Sequence, residues 1–446
     1  MNVTIEPAKL CGSITPPPSK SQAHRMILAA ALAEGESVLS RVAFSDDILA
    51  TLSCMEQLGA AWETVDESTI RIRGIGGKRR RCDAEHLPRF DCGESGSTLR
   101  FLIPVALAVA GGGVFTGHGR LMKRPQRPYF EIFEEKGIFY EVKDDVLTVR
   151  GELKPGEYHL PGDVSSQFFT GLLYALPLLD GPSEILATTQ KIESIDYIAM
   201  TLEVLRLSGA EAKWLPEMHG LTVKNSSFTP IEKSIECDWS QAAFWYAAAG
   251  IGNEVTVTGM NMDSIQGDKE ILCWGERIDG KPIKNGISVP VYAEGKSASE
   301  QPIAVEEIEN RPHSASVDVS RNPDLVPPAA AWGALMNGAL YFRNAGRLRI
   351  KESDRLASVH QVLSAMGAQV EEEEDRLIIQ GLKTLRGGVT VDSCNDHRIA
   401  MMAAIAATRC DAPVTITNAE CVKKSYPNFW DDYERLGGRI IREETT

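Results

Sequence analysis

Six stretches of the sequence place small polar or charged residues directly before an apolar run rich in Ala and Leu. The first, PSKSQAHRMILAA at residues 18–30, carries Lys20, Ser21 and Arg25 in front of its apolar part. Such a run predicts a buried helix, and a helix N-terminus has free N–H groups and a partial positive charge that bind anions. Ser, Asp or Asn at any single start is equally well explained as a helix cap.

Cations are the residues that capping does not explain. Lys20, Arg25, Arg100 and Arg398 lie at or just after these starts, where the helix dipole makes a positive side chain unfavourable. A bound anion removes that penalty, and Lys and Arg are the side chains that hold carboxylates and phosphates. The second helix of several stretches opens on further cations: Lys123, Arg124, Arg127, Lys351, Arg355, Lys423 and Lys424. We therefore expect ligands that are small, anionic and multiply charged.

The six stretches recur at a nearly constant interval. Their anchor residues are Ser21, Ser97, Ser166, Ser240, Asn322 and Asn395, separated by 76, 69, 74, 82 and 73 residues. Between the anchors, a second helix-like run ends near a glycine, which supplies a left-handed residue, and short strand-like runs follow. The sequence therefore predicts six β-α-β-α-β-β units of about 70 residues each.

Six such units are too many for one core, and 446 residues suit two domains of three units each. We expect residues 18–234 to form one domain and residues 1–17 with 235–446 to form the other. The first helix of each unit is apolar on all sides, so it is predicted to be buried within surrounding sheet. The N-termini of these helices would then converge on a cleft between the domains.

The bulk composition excludes several classes of function. A net charge of -14 provides no field that attracts nucleic acid or an anionic membrane, so neither is expected as a partner. The nine cysteines form no CxxC pair and no Cys/His cluster, which argues against zinc and disulfides and favours a reducing, cytoplasmic compartment. The N-terminus has no signal-peptide layout, and apolar runs such as residues 102–110 are too short to cross a bilayer.

Seven motifs occur in order along the chain: SKSQAHR, GESGSTLR, KRP, VSSQF, IKESDR, NDHR and KKSYP. In this order and spacing they resemble the 5-enolpyruvylshikimate-3-phosphate synthase family nearly from end to end. The resemblance implies a two-domain, inside-out α/β barrel with three β-α-β-α-β-β repeats per domain around buried helices. It also implies transfer of the enolpyruvyl group of phosphoenolpyruvate to the 5-hydroxyl of shikimate 3-phosphate by a cytoplasmic monomer, with no metal or organic cofactor.

The resemblance also implies roles for single residues. Lys20, Asp324 and Glu352 are implied as catalytic: Asp324 as the base on the 5-hydroxyl, Glu352 as the acid for the methylene proton, and Lys20 as a further proton donor. The residues implied for shikimate 3-phosphate are Ser21, Arg25, Ser165, Ser166, Gln167, Ser194, Tyr197 and Lys351. Those implied for phosphoenolpyruvate are Lys20, Gly96, Arg100, Arg124, Gln167, Arg355, Arg398 and Lys424. His397 is left open as a ligand contact or a local hydrogen-bonding residue.

Two positions depart from the family pattern, which usually has asparagine at each. Glu94 adds a negative charge beside the expected phosphoenolpyruvate site, and this puts the local affinity in doubt. Arg347 lies four residues before Lys351, with Arg349 following it. Residues 272–316 do not follow the pattern of the other units.

Alternatives remain for the residues and for the function. Asp324 could form an Asx turn, and Glu352 could cap a helix. The alternative functions are a related enolpyruvyl transferase acting on a UDP-sugar and a non-enzymatic anion-binding protein with this fold. The UDP-sugar family usually has Lys-Asn at the opening motif and a reactive cysteine before its RP motif, whereas this chain has Lys20-Ser21 and no cysteine in residues 117–125. The retained candidate catalytic residues argue against the second alternative.

Overall fold

The structure is a computed structural model that describes residues 1–76, 82–83, 85–279 and 313–444. Within these ranges the chain forms a mixed α/β fold of helices packed on small sheets. The α/β class predicted from the sequence is confirmed. The irregular stretch at 272–316 lies mostly outside the described residues, and it is bordered by the helix Ile271–Asp279 and the strand His313–Asp318.

Six helices, called the inner helices below, occupy the centre of the fold: Lys20–Leu32, Gly96–Ala110, Ser166–Ala175, Trp239–Gly250, Val326–Gly333 and His397–Ala407. They are buried because their sequences are apolar on every side. In Gly96–Ala110, for example, only Ser97 is not buried. Each fully buried Leu, Ile, Val or Phe stabilises the fold by about 1.5–3 kcal/mol. None of the described helices is long and apolar enough to cross a membrane.

Six further helices, called the outer helices, alternate with the inner ones along the chain: Asp46–Gln57, Arg127–Lys136, Ile195–Leu207, Ile271–Asp279, Arg355–Ala365 and Phe429–Arg435. The predicted glycine stop is confirmed at Gly137, which ends its helix with φ 66°, a conformation that glycine adopts without strain. It is wrong at Gly275, because that glycine lies inside an outer helix.

Five sheets have four strands each within the described residues. In spatial order the strands are Glu232–Ser234, Glu36–Ser40, Ile70–Arg73 and Ala61–Thr64; Arg89–Asp91, Gly112–Thr116, Val146–Arg150 and Phe139–Lys143; Glu157–Leu160, Ser183–Ala187, Gly220–Val223 and Ala212–Trp214; His313–Asp318, Gly338–Arg343, Arg376–Gln380 and Gln369–Glu372; and Val389–Asp392, Val414–Thr417, Asn2–Glu6 and Arg439–Glu443. In each sheet the first two strands are parallel and the other pairs are antiparallel. These sheets therefore share one topology.

Two separate apolar cores underlie the fold. One collects buried side chains from Ala23 to Ile235, and the other collects those from Val3 to Ile14 and from Trp239 to Leu436. We refer to the residues around the first core as the first half of the molecule and to those around the second core as the second half.

Two crossings of the chain link the two halves. The strand Cys11–Ile14 precedes the first inner helix but pairs in parallel with Glu254–Val257, which follows the fourth. Conversely, Glu232–Ser234 precedes the fourth inner helix but pairs with Glu36–Ser40, which follows the first. The chain therefore passes between the halves twice, just before each of these two helices.

The two crossing segments lie side by side. The backbone N–H of Ser19 donates to Glu236 O at 2.7 Å, and that of Asp238 donates to Pro17 O at 2.8 Å. The carboxylate of Asp238 caps both helices that begin there, because Oδ1 accepts from the N–H of Gln241 and Oδ2 from that of Lys20, each at 3.0 Å. One buried side chain thus fixes two helix N-termini relative to each other.

Candidate active site

The N-terminal ends of the inner helices meet at a cleft with a volume of about 890 Å³. Residues at or just before five of the six starts line this cleft, and the predicted convergence is confirmed for those five. The remaining start, at Trp239, opens onto a small adjoining cavity that Ser240 lines together with Ser21 and Tyr197. The sequence therefore predicted the meeting point of the helices, but it did not predict this division into two cavities.

Most of the predicted site residues lie together in the cleft: Lys20, Ser21, Arg25, Gly96, Arg100, Arg124, Ser165, Ser166, Gln167, Ser194, Tyr197, Asp324, Lys351, Glu352 and Arg398. Arg355 and Lys424 do not line it. Both lie behind its wall, where Arg355 donates hydrogen bonds to Asp324 and Glu352 and Lys424 donates one to Glu94.

Helix capping falls to residues within two positions of the anchors, and not to the anchors themselves. The capping side chains are Ser19, Ser95, Ser165, Asp238 and Asp396, each of which accepts a hydrogen bond from a backbone N–H of the first turn. The anchors Ser21, Ser97 and Ser166 lie in the first turn and line the cleft. Because neighbouring residues supply the caps, these hydroxyls are available for other contacts.

Arg25 is a buried cation with neutral partners. Its Nε donates to Thr201 Oγ1 at 2.9 Å, Nη1 donates to Ser21 O at 2.8 Å, and Nη2 donates to Tyr197 O at 3.0 Å. Burial lowers the pKa of the guanidinium to about 10, although Tyr174 and Tyr197 act in the opposite direction. A desolvated charge of this kind is costly without a counter-ion, so an anion beside Arg25 would be strongly favoured.

Arg100 and Arg124 form a second group of cations. Arg100 Nη1 donates to Gln167 Oε1 at 2.8 Å, and its guanidinium lies 4.7 Å from the centre of the Phe168 ring. The Nε atoms of both arginines are buried without a hydrogen-bond partner in the described part of the chain. Burial, and then the charge of Arg124, hold the pKa of Arg100 well below its ordinary value. An anion bound by both side chains would relieve that penalty.

Gly96 makes room for the guanidinium of Arg124. A Cβ at position 96 would lie 2.5 Å from Arg124 Nη1 and 2.8 Å from its Cζ. The resemblance implies that this glycine leaves space for phosphoenolpyruvate, but here the adjacent atoms belong to Arg124. Any side chain at position 96 would displace a cleft cation.

Gln167 and Ser194 are held by polar contacts along the first half's wall. Gln167 Nε2 donates to Ser97 Oγ at 3.0 Å, in addition to the bond that Gln167 accepts from Arg100. Ser194 has φ 52°, a left-handed conformation that serine adopts rarely. Its hydroxyl contacts Nη1 of Arg347, which reaches across from the second half, at 3.2 Å.

Three cations surround the carboxylate of Asp324. Its Oδ1 accepts from Arg355 Nη1 at 2.7 Å and from Lys351 Nζ at 3.3 Å, and its Oδ2 accepts from Arg398 Nη2 at 3.2 Å. Burial alone would raise the pKa of Asp324, but Arg398, Lys351 and Arg355 outweigh burial and hold that pKa well below its usual value. Asp324 is therefore a carboxylate at neutral pH, and with these contacts it is a weak base.

Arg355 connects three carboxylates behind the cleft. Besides Asp324, its guanidinium donates to Glu352 Oε2 at 2.6 Å and, through Nε, to Asp396 Oδ2 at 2.8 Å. Its side chain is only 1% exposed, and that of Asp396 is fully buried. Burial would raise the pKa of Glu352, but the charges of Arg355 and then Arg124 keep it well below the usual value. Arg355 thus fixes the positions of both candidate catalytic carboxylates.

Lys351 is a buried cation whose charge is sensitive to pH. Burial lowers the pKa of its ammonium to about 8, although the carboxylate of Asp324 raises it. Near neutral pH the group is mostly charged, and a modest rise in pH removes the proton. Its charge therefore depends on the solution conditions and on any anion bound nearby.

Lys20 and His397 complete the wall near the first inner helix. Lys20 Nζ forms an ion pair with Asp47 Oδ2 at 2.7 Å. Burial, together with the charges of Lys20 and Arg398, lowers the pKa of His397 well below its ordinary value, so the ring is neutral. Both of its ring nitrogens are buried without a hydrogen-bond partner in the described residues, which favours a ligand contact over a purely local role.

Glu94 joins the two halves through contacts with Lys424 and Asn395. Its Oε2 accepts from Lys424 Nζ at 2.6 Å, and its Oε1 accepts from Asn395 Nδ2 at 3.1 Å. Lys424 also donates to Asn395 O at 2.6 Å. The negative charge noted at position 94 is therefore neutralised by a lysine that the resemblance implies for phosphoenolpyruvate.

Two residues, one in the cleft and one in the small adjoining cavity, were not identified as site residues from the sequence. Asp47 follows a typical helix start, SDD at residues 45–47, where acidic residues are expected for reasons of the helix dipole alone. Asp268 accepts from the hydroxyl of Tyr197 at 3.3 Å and from that of Ser240, and burial raises its pKa to about 6. Neither residue has a local signal, because each acquires its partner from a distant segment.

Three comparisons place the chain among known proteins. A family model described as "EPSP synthase (3-phosphoshikimate 1-carboxyvinyltransferase)" matches residues 5–433. Relatives named 3-phosphoshikimate 1-carboxyvinyltransferase from Clostridium novyi (strain NT) and Clostridium beijerinckii are 42% and 41% identical, each match covering 98% of both chains. A solved EPSP synthase from Acinetobacter baumannii has a TM-score of 0.73 at 24% identity, covering 99% of this chain and 100% of that one. That structure shares the fold.

Replacement of Arg355 is expected to destabilise the protein. Arg355→Met leaves the buried Asp396, and with it Asp324 and Glu352, without their shared cation, and breaking a buried ion pair costs about 3–5 kcal/mol. Denaturant unfolding at pH 7 measures this loss. The loss should shrink toward pH 4, because the carboxylates of the variant lack their cation and become protonated, whereas Asp324 and Glu352 of the wild type stay ionised. The matched control is Arg376→Met, which removes an exposed arginine and should leave the midpoint unchanged. Equal stability of the two variants would contradict the bridging role.

Proposed function

The chain belongs to the EPSP synthase family, and from that premise we propose how its own residues carry out the reaction. The enzyme transfers the enolpyruvyl group of phosphoenolpyruvate to the 5-hydroxyl of shikimate 3-phosphate and releases phosphate, a step of the shikimate pathway of aromatic amino-acid biosynthesis. The reaction needs an alcohol deprotonated, a methylene protonated and several anionic groups neutralised in a site that excludes water.

One observation carries the assignment of roles. Arg25, Arg100 and Arg124 enter the cleft from the first half, and no carboxylate partner is described for any of them, in a protein whose net charge is -14. Two of the three have a buried Nε without a hydrogen-bond partner in the described residues. Such a site stabilises anions of the kind that both substrates carry.

We assign shikimate 3-phosphate to the wall that begins at Arg25. The guanidinium of Arg25 would hold the carboxylate, and its neutral contacts leave the charge uncompensated for that purpose. The hydroxyls of Ser165 and Ser166 would donate to the phosphate. The remaining contacts would come from Ser21, Gln167, Ser194, Tyr197 and Lys351.

We assign phosphoenolpyruvate to the neighbouring cations. Arg100 and Arg124 would clamp its phosphate, with Gly96 keeping the guanidinium of Arg124 in place. The remaining contacts would come from Lys20, Gln167, Arg398 and Lys424, and the neutral ring of His397 would add a hydrogen bond. For Arg355 we propose a positioning role in place of the direct contact that the resemblance implies, because three carboxylates already engage its guanidinium.

Asp324 is proposed as the base on the 5-hydroxyl, and Glu352 and Lys20 as the groups that handle the methylene proton. A carboxylate held by three cations is a weak base, so the base must be strengthened before it reacts. Substrate anions can do this, because phosphate beside Lys351 and carboxylate beside Arg398 draw those cations away from Asp324. The pKa of Asp324 then rises toward the working pH. Catalytic competence would therefore depend on both substrates being bound.

The architecture carries further proposals. We propose six β-α-β-α-β-β repeats around the inner helices, with residues 18–234 as one domain and residues 1–17 with 235–446 as the other. The two apolar cores and the side-by-side crossings support this division. The active site would lie between the domains, and closure of the domains would bring its residues together. We further propose that the enzyme acts as a monomer in the cytoplasm.

Release of inorganic phosphate tests the function directly. The purified protein should release phosphate from phosphoenolpyruvate only when shikimate 3-phosphate is added, with one enolpyruvyl product formed per phosphate. Replacing shikimate 3-phosphate with a UDP-amino sugar is the control for the related transferase. Phosphate release that is independent of the acceptor, or that requires the UDP-sugar, would refute the assignment.

Asp324→Asn should remove most turnover while leaving substrate binding intact. The amide keeps the shape of the side chain but cannot accept a proton, and loss of a positioned base costs about 10²–10⁴ in kcat. Steady-state phosphate release gives kcat, and the KM values should stay within a few-fold of the wild type. Asp318→Asn changes a nearby carboxylate that does not line the cleft and should retain kcat. A near-normal rate for Asp324→Asn would mean that another group is the base.

The rate with limiting shikimate 3-phosphate should fall above pH 8. Lys351 has a pKa of about 8, and raising the pH removes the proton and with it the attraction for the phosphate. The pH profile of kcat/KM for shikimate 3-phosphate should therefore show a one-proton descending limb near that pH. Lys351→Arg keeps its charge and should move the limb upward. An unchanged limb in that variant would assign the titration to another group.

A further inference from the structure

Arg347 is a cleft cation that the roles above leave unused. It lies in the short helical turn Gly346–Ile350 of the second half, and its side chain reaches the wall of the first half. Its Nε donates to Val164 O at 3.1 Å, and its Nη1 donates to Glu193 Oε2 at 2.6 Å. Arg347 therefore joins the halves through contacts with the segments that precede Ser165 and Ser194.

The position of these contacts relates Arg347 to a phosphate site. Ser165, Ser166 and Ser194 line the same cleft as Arg347, and Ser194 Oγ lies 3.2 Å from its Nη1. Nη1 also donates to Ser320 O at 3.2 Å. The bonds described for Arg347 thus use Nε and Nη1, and within the described residues Nη2 has no hydrogen-bond partner. Nη2 of the Arg347 guanidinium and the three serine hydroxyls are therefore donors suited to the oxygens of a phosphate group.

The charge of a phosphate group also favours a contact with Arg347. A phosphate monoester carries close to two negative charges above pH 7, and serine hydroxyls supply none to balance them. Lys351 is the other cation proposed for this group, and it begins to lose its proton near pH 8. An arginine stays charged throughout this range. Arg347 would therefore add positive charge beside the phosphate, although Glu193 offsets part of it.

We propose that Arg347 binds the phosphate of shikimate 3-phosphate and so determines the preference for the phosphorylated acceptor. The inference rests on the function proposed above. The arginine comes from the second half and the serines come from the first, so the phosphate site is complete only when the halves meet. Glu193 accepts a hydrogen bond from Nη1, and Nη2 is left for the ligand.

The test compares acceptors with and without the phosphate. For Arg347→Met we expect the KM for shikimate 3-phosphate to rise about ten- to hundredfold, the loss typical of a charge-assisted contact, with kcat and the KM for phosphoenolpyruvate within a few-fold. The kcat/KM with shikimate should stay within twofold of the wild type. An unchanged KM for shikimate 3-phosphate would overturn the proposal, and so would an equal loss with both acceptors.

Two controls separate phosphate binding from a role in holding the halves together. Arg321→Met removes a different salt bridge between the halves, to Asp196 at 2.7 Å, without touching the cleft. Glu193→Gln removes the ion-pair partner of Arg347 and keeps the arginine. Both variants should keep the KM for shikimate 3-phosphate within about threefold of the wild type. If either variant reproduces the loss seen in Arg347→Met, the arginine acts by joining the halves and the proposal is wrong.

A milder variant guards against misfolding. If Arg347→Met does not fold, as judged by circular dichroism and thermal melting, Arg347→Lys takes its place. Lysine keeps the charge but lacks the planar guanidinium, so an intermediate rise in KM, confined to the phosphorylated acceptor, is expected.

Wild-type turnover separates this inference from the proposed function. Absent wild-type turnover refutes the function, whereas normal turnover with an unaffected Arg347 variant refutes only the inference.

Discussion

The burial of several cations in one cleft is the constraint on which the rest of the structure depends. A guanidinium or ammonium removed from water must have partners that offset its lost hydration. The protein meets this need in two ways. In the first half, Arg25 is surrounded by hydroxyl and carbonyl oxygens, which solvate the charge without neutralising it. In the second half, Arg355 binds three carboxylates and Arg398 binds one. The two halves of the site therefore differ in free charge, although both are rich in cations.

That difference has a chemical consequence. An anion meets uncompensated charge on the first half's wall, so its binding there adds a new ion pair. On the other wall it must compete with Asp324 for Lys351 and Arg398. On the proposed roles, competition of this kind would weaken substrate binding but would raise the proton affinity of Asp324 as its cations turn toward the substrates. The same contacts that hold Asp324 ionised would thus make its strength as the proposed base depend on which anions occupy the cleft.

The sequence predicted the parts of this site that depend on local pattern. Polar residues before apolar runs predicted the starts of the inner helices. Lys20, Arg25, Arg100 and Arg398 were predicted as cleft residues because a positive side chain is unfavourable at a helix start unless an anion binds there. Pairing between distant segments escaped prediction. The residues around Cys11–Ile14 do not indicate that this strand pairs with Glu254–Val257, because the local sequence of a parallel strand does not reveal its distant partner. For the same reason the sequence around Asp47 indicates only an ordinary acidic residue in the first turn of a helix. Arg355 was likewise interpreted as a ligand-binding cation, whereas in the structure carboxylates already engage its guanidinium.

Glu94 extends the argument to the contact between the halves. Cations on two facing walls repel each other unless anions lie between them. Glu94 is such an anion within the chain, since it comes from the first half and accepts from Lys424 and Asn395 of the second. Asp324 acts similarly toward Arg398, but within one half. Internal carboxylates therefore pair with cations that substrate anions would also bind. Substrate binding would then replace some of these internal ion pairs with ion pairs to the substrate. An exchange costs less reorganisation than bringing bare cations together, so the facing walls can approach each other while the charges that bind the substrates stay in place.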